Sequence, residues 1–178
     1  MKKIYIISTS LRNNSNSEIL AHYFEKGAID NNNEVKFLSL KKFDLKFCLG
    51  CLSCVKTNKC VIKDDMIKII DDISNSDVIC FATPIYYYSL SGQLKTFLDR
   101  LNPLYGKENK FKEIYLLASC ADDSISAFEK AKVTLSGWTQ CFDGVYLKDS
   151  LLALNSDDPL SVKEEYKDLA YKMGNSIL

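Results

Sequence analysis

Histidine is nearly absent from this chain: His22 is the only one in 178 residues. There is no G-x-S-x-G either, so a Ser–His–acid triad has nowhere to form. The sequence also lacks a G-x-G-x-x-G turn and any Gly-Lys-Ser/Thr, which removes the dinucleotide fingerprint and the P-loop. An excess of charge of one sign is missing too. Lys plus Arg and Asp plus Glu number 23 each, whereas a nucleic-acid-binding chain ordinarily carries a basic surplus. No apolar run approaches the ~18 residues of a membrane span. After the basic start Met1-Lys2-Lys3, the apolar stretch ends at Ile7 and polar residues continue to Ser17, so no signal-peptide core follows. The expectation is a cytoplasmic protein with no nucleic-acid and no membrane partner. No repeat, low-complexity tract or linker interrupts the chain.

Sulfur, by contrast, is concentrated in one place. Of seven cysteines, Cys48, Cys51, Cys54 and Cys60 fall within thirteen residues, spaced C-x2-C-x2-C-x5-C. In a reducing compartment such residues are ligands or free thiols rather than disulfides. Four close thiolates suit an iron–sulfur cluster, they suit zinc, and they also serve as thiols without metal. The third follows the second too closely for paired zinc knuckles. Cys80, Cys120 and Cys141 read mostly as small buried hydrophobes.

Around this loop, strand and helix patterns alternate. Apolar runs at Lys3–Ser8, Val35–Leu40, Asp77–Thr83, Glu113–Ser119 and Phe142–Leu147 read as strands. Helical spacing appears at Ile19, Leu20, Tyr23, Phe24 and Ala28, and at Met66, Ile69, Ile70 and Ile73 behind Asp64-Asp65. It recurs at Leu94, Phe97, Leu98 and Leu101, stopped by Asn102-Pro103, and at Ile125, Phe128, Leu135 and Trp138. A last helix carries Val162, Tyr166, Leu169, Ala170 and Met173 behind a Ser161-x-x-Glu164 capping box. Helices between all strands imply a parallel sheet covered on both faces. With right-handed crossovers the expected fold is α/β, a flavodoxin-like doubly wound five-stranded sheet in order 2-1-3-4-5. One domain is expected over residues 1–178, with a cysteine-containing loop at about 41–64. Ligands then bind beyond the carboxyl ends of strands 1 and 3.

Two segments lie at that end. Ser8-Thr-Ser-Leu-Arg-Asn-Asn-Ser-Asn-Ser17 is a hydroxyl- and amide-rich turn with one arginine, leading into a helix. It suits a terminal phosphate, or it is a polar loop with Ser17 as N-cap. Thr83-Pro-Ile-Tyr-Tyr-Tyr-Ser89 carries three consecutive tyrosines that cannot all point inward. They line a surface for a flat ring, a subunit interface, or both. His22 reads as a helix-surface residue and Asp99-Arg100 as an ion pair or subunit contact. Asp64-Asp65 reads as a helix N-terminus.

Together these segments resemble the NADPH-dependent FMN reductase branch of the flavodoxin-like flavoproteins. Thr9–Ser17 (TSLRNNSNS) looks like the phosphate loop GSPRKNSNT, with Thr9 and Leu11 where the family has glycine and proline. Thr83–Arg100 (TPIYYYSLSGQLKTFLDR) is similar to TPIYxxxxSxxLKxFxDR. The resemblance implies that Ser10, Arg12, Ser15, Asn16 and Ser17 hold the FMN phosphate. It implies that Pro84, Ile85, Tyr86, Tyr87 and Tyr88 approach the flavin ring and ribityl chain. Ser119 opens the next cofactor loop, where Ser119-Cys-Ala-Asp-Asp123 stands in place of a glycine-rich segment. In the iron–sulfur flavoprotein subgroup, cysteines of this spacing ligate a 4Fe–4S cluster. Cys48, Cys51, Cys54 and Cys60 are its metal ligands if a cluster is present, and a ferredoxin partner then follows. The implied activity is transfer of electrons from NAD(P)H through FMN to a small acceptor, in a homodimer or dimer of dimers. The alternative is a non-enzymatic electron-carrier or redox-sensing flavoprotein.

Overall fold

A computed structural model describes residues 1–178. Five parallel strands form the sheet: β1 (Lys3–Ser8), β2 (Glu34–Ser39), β3 (Val78–Tyr86), β5 (Glu113–Ser119) and β6 (Tyr146–Ala153). Their order is β2-β1-β3-β5-β6, the expected one, and a two-residue β4 (Ser89–Leu90) folds back antiparallel on the end of β3. α1 (Asn16–Asp30) and α6 (Glu164–Asn175) cover one face. α4 (Gly92–Arg100), α5 (Ser126–Thr139) and the short α3 (Ile70–Ser74) cover the other, and a five-residue α2 (Ser53–Thr57) sits in the cysteine loop. No helix is long and apolar enough to cross a membrane.

The sheet's alternation explains both layers. On β1, Ile4 and Ile6 pack under α1 and α6, while Tyr5 and Ile7 face the larger cluster with Phe81, Phe97 and Leu116. Trp138 of α5 is set edge-on to Phe81, with ring centroids 5.8 Å apart. Between α1 and α6 the backbones meet without side chains. A Cβ on Gly174 would lie 2.0 Å from the Phe24 carbonyl, and one on Gly27 would lie 2.1 Å from that of Tyr171.

Several local expectations are corrected. The Met66–Ile73 stripe is buried but is not one helix. A 3-10 turn (Asp65–Lys68) is followed by the five-residue α3. Four isoleucines in seven residues (Ile67, Ile69, Ile70, Ile73) disfavour a continuous helix because β-branched side chains lose χ1 freedom there. The last strand is Tyr146–Ala153, not Phe142–Leu147. Gly144 turns the chain at φ +68°, and Lys148, Asp149 and Ser150 give this edge strand, bulged between Ile114 and Tyr115 of its neighbour, a polar look. The Ser161–Glu164 box does not form: Lys163 sits at the N-cap, and Ser161 Oγ donates to the Asp158 carbonyl instead. α1 begins at Asn16, so Ser15 rather than Ser17 holds its cap position. Cys80 and Cys120 are buried as expected, but Cys141 is exposed, carried on the turn beyond α5.

Candidate functional site

The β1–α1 turn and the end of β3 meet where the expected topology puts a ligand. A cleft of about 160 Å3 is lined by Ser10, Arg12, Ser15 and Asn16 at one end, and by Pro84, Ile85, Tyr86 and Ser119 further along. Eight of the eleven expected cofactor residues therefore converge. Ser17 is fully buried and bonds Ser15 Oγ at 3.0 Å. Tyr87 and Tyr88 line an adjoining, more open depression of about 430 Å3, with Ile85, Cys120 and Ala121 common or adjacent to both hollows. A larger hollow of about 540 Å3 lies at the opposite, amino end of the sheet and has no part in this convergence.

The turn is built to leave donors open. The Ser15 hydroxyl accepts from no backbone N–H of the helix it precedes, so the first-turn N–H groups of α1 stay available at the positive end of the helix. Thr9, in the place of the family's glycine, is buried behind the turn. Its Oγ1 donates to the Ala82 carbonyl at 3.0 Å and meets Ser91 Oγ at 3.3 Å. Ser91 in turn accepts from Thr83 Oγ1 and caps α4 through the Leu94 N–H.

A third wall was not foreseen. Ser156, Asp157 and Pro159, on the link from β6 to α6, close the cleft. Asn16 holds that link. Its Nδ2 donates to the carbonyls of Ser156 (3.0 Å) and Asp158 (2.7 Å) and to Ser161 Oγ (3.2 Å), while its Oδ1 accepts from the Val162 N–H (3.0 Å). The Asn16 side chain is thus occupied, and only its backbone is left to a ligand. Arg12 Nη1 reaches the Asp157 carbonyl at 2.7 Å, across the end of the cleft at the β1–α1 turn. The available signal was topological: α1 and the last helix share a face, so their connecting link must pass the β1 turn.

Tyr87 and Tyr88 form the two-residue loop between β3 and β4, with φ of +49° and +62°. That is the type I′ geometry, which Asn-Gly adopts without strain and tyrosine does not. Tyr87 is fully exposed. Tyr88 Oη donates to Asp122 Oδ2 at 3.0 Å, which raises the tyrosine's pKa. The Ser124 N–H and the Tyr88 hydroxyl together lower that of Asp122. Asp122 thereby closes its own loop, and Asp123 is exposed.

The cysteine loop lies beyond the other end of α4. Cys48, Cys51, Cys54 and Cys60 all line one shallow depression, with Asp99, Arg100 and Asn102. Each sulfur has a donor. Cys48 accepts from the Gly50 N–H (3.5 Å), Cys54 from Asn102 Nδ2 (3.0 Å) and Cys60 from Arg100 Nη2 (3.5 Å). Hydrogen bonds from the Ser53 hydroxyl and N–H lower the Cys51 pKa. No three of these residues close on a single metal ion. A 4Fe–4S cluster puts each thiolate on its own iron, and the set of four thiols around one depression fits it. Arg100 does not pair with Asp99, which bonds Lys95 at 2.6 Å. It forms a fully buried ion pair with Asp64 and donates to the Lys46 carbonyl at 2.7 Å.

A doubly wound α/β sheet with an open helix N-terminus and an aromatic cleft at its switch point defines a nucleotide-cofactor protein of the flavodoxin-like class. Residues 2–156 match the NADPH-dependent FMN reductase family, and the chain belongs to it. An iron–sulfur flavoprotein of Methanocaldococcus jannaschii is 33% identical over 102 residues, 57% of this chain and 53% of that protein. A Bacillus subtilis protein named as an NAD(P)H-dependent FMN-containing oxidoreductase is 27% identical over 135 residues, 68% of each chain. The chain spans about half or less of the length of the first iron–sulfur flavoproteins it matches. Among solved structures, an NAD(P)H:quinone oxidoreductase from Methanothermobacter marburgensis superposes with a TM-score of 0.77, over 98% of this chain and 94% of that one. At 16% identity that likeness speaks for the fold.

Proposed function

We propose that this chain is an FMN-dependent oxidoreductase that takes electrons from NAD(P)H and passes them to a small acceptor such as a quinone or a free flavin. The observation that carries this reading is the pair of adjoining hollows that runs from the open first turn of α1 to the aromatic end of β3. Ser10, Ser15 and the first-turn N–H groups hold the terminal phosphate, and Arg12 neutralises it. Pro84 to Tyr86 and Ser119 to Ala121 flank a flat ring. Bound FMN supplies the hydride chemistry, so no acid–base side chain is required. The exposed Tyr86 and Tyr87 form the contact with a second copy of the chain.

The test is a comparison of ligands. FMN is expected to bind more tightly than riboflavin, and Arg12→Ala to weaken FMN alone by about 1.5–3 kcal/mol, the scale of a hydrogen bond to a charged group. Equal affinity for the two ligands would sink the reading. Oxidation of NAD(P)H with a small quinone separates an enzyme from a pure electron carrier.

The cysteine loop favours a second reading laid over the first: four sulfurs about one depression, each facing a donor. In it, Cys48, Cys51, Cys54 and Cys60 hold a 4Fe–4S cluster. Six lysines against one aspartate between residues 41 and 63, in a chain of net zero charge, suit an acidic electron carrier of the ferredoxin kind. Iron and acid-labile sulfide in protein prepared without air test this, and Cys51→Ala is expected to abolish the cluster while FMN remains.

A further inference from the structure

Two donors on the cysteine depression come from outside the cysteine loop. Arg100 ends α4 and Asn102 opens the turn that follows it. Asn102 Nδ2 lies 3.0 Å from Cys54 Sγ, and Arg100 Nη2 lies 3.5 Å from Cys60 Sγ. Cys54 is buried and Cys60 half-buried, whereas Cys48 and Cys51 are exposed. The two sulfurs removed from water are therefore the two that receive side-chain N–H groups from the end of α4 and the turn after it. Arg100 is held for this purpose on three sides: both Asp64 oxygens, the Lys46 carbonyl and the sulfur. Its Nε is buried without an acceptor, so the two Nη groups carry all of its hydrogen bonds.

We propose that Asn102 and Arg100 are positioning residues for the sulfur site. They fix Cys54 and Cys60 and, through N–H···S hydrogen bonds, set the reduction potential of the cluster those cysteines hold. The proposal rests on the cluster reading above. Adding one electron to a cluster places more negative charge on its sulfurs. A donor aimed at a sulfur favours the reduced form, and hydrogen bonds to the sulfurs are among the levers that tune such potentials. The positive charge of Arg100 is largely cancelled by Asp64, so the directed N–H groups carry the effect rather than net charge. Asn102 carries the cleaner share, since its amide is neutral and only partly buried.

The experiment uses protein purified or reconstituted without air, with iron and FMN content measured first. Cluster and flavin potentials are then followed in one titration, by electron paramagnetic resonance and visible absorption. Asn102→Leu keeps the volume and removes the donor; Asn102→Asp replaces the donor with a charge. Both are expected to lower the cluster potential, the aspartate more, with the flavin potential unmoved. Asn102→Gln, which restores an amide, is expected to recover part of the shift. Arg100→Lys, which keeps the charge but loses the fork, should shift the potential in the same direction if it folds; the Asn102 series decides the matter if it does not. A loaded cluster whose potential is the same in wild type, Asn102→Leu and Asn102→Asp overturns the proposal and leaves the cluster reading standing. Wild-type protein without iron and sulfide overturns both.

Discussion

Asn16 spends its side chain on the link after β6, with bonds to Ser156, Asp158, Ser161 and Val162. At about 1 kcal/mol for a typical hydrogen bond, Asn16→Ala is expected to cost roughly 2–3 kcal/mol in urea unfolding. It is also expected to weaken FMN by freeing the third wall of the cleft. A variant with wild-type stability would show that the link is held elsewhere. Asp64 makes a different kind of prediction. Burial pushes its carboxyl up, but hydrogen bonds from Arg100 and the Lys46 and Met66 N–H groups outweigh this and hold it below the ordinary 3.8. A depressed folded pKa means that the stabilisation is present above the unfolded value and is lost as pH falls through the folded one. The stability profile is expected to drop on its acid limb below about pH 4. Asp64→Asn should flatten that limb and cost about 3–5 kcal/mol at neutral pH, because Arg100 is left buried and unpaired. Neither role was legible in the sequence. Asn16 reads as a phosphate ligand and Asp64 as a helix cap, which it is for the Met66 N–H, but a linear reading cannot see partners 146 and 36 residues away.

Elements were easier to read than their ends. β1, β3 and β5 are buried on both faces and announce themselves as apolar runs. β6 is an edge strand with polar residues on it and was placed several residues early. The β3–β4 hairpin was invisible because Tyr87-Tyr88 carries none of the usual turn chemistry. It stores strain for that reason. Replacing the pair by Asn-Gly is expected to raise stability by about 1–2 kcal/mol: each left-handed tyrosine costs on that scale, and the lost Tyr88–Asp122 bond and glycine's freer unfolded chain offset part of the gain. FMN affinity should fall in the same variant. Calorimetry beside a flavin titration reads both, and a loss of stability would contradict the assigned strain. The α1–α6 pair predicts the reverse. Gly174→Ala puts a methyl 2.0 Å from the Phe24 carbonyl, so the helices must separate. A cost of about 1–3 kcal/mol is expected from overpacking, seen as a lower urea midpoint.

At the scale of the molecule, the strand order was readable because alternating patterns and right-handed crossovers leave few arrangements. The cleft followed from that order. Which loops close it did not, because the β6–α6 link has no motif of its own. Assembly belongs at this scale. Tyr86 and Tyr87 are exposed at the cleft mouth, with Leu11 and Phe47 exposed elsewhere on the surface. An apolar surface of this kind is expected to be covered by a second copy. Light scattering at micromolar concentration should give twice the chain mass; a monomer with FMN bound would rule the contact out.

α4 has one further consequence. Its first residue follows Ser91, which is bonded into the hydroxyl network behind the β1–α1 turn; its last is Arg100, locked to Asp64 and the cysteine loop. Both ends are clamped, so the helix transmits a rotational phase as well as a distance. One inserted residue advances the far end by only about 1.5 Å but turns it by about 100°. An alanine inserted after Lys95 should therefore leave the phosphate end seated while swinging Arg100 and Asn102 off the sulfurs. The two sites are geared to each other through nine residues, and their alignment is a matter of angle before it is one of length.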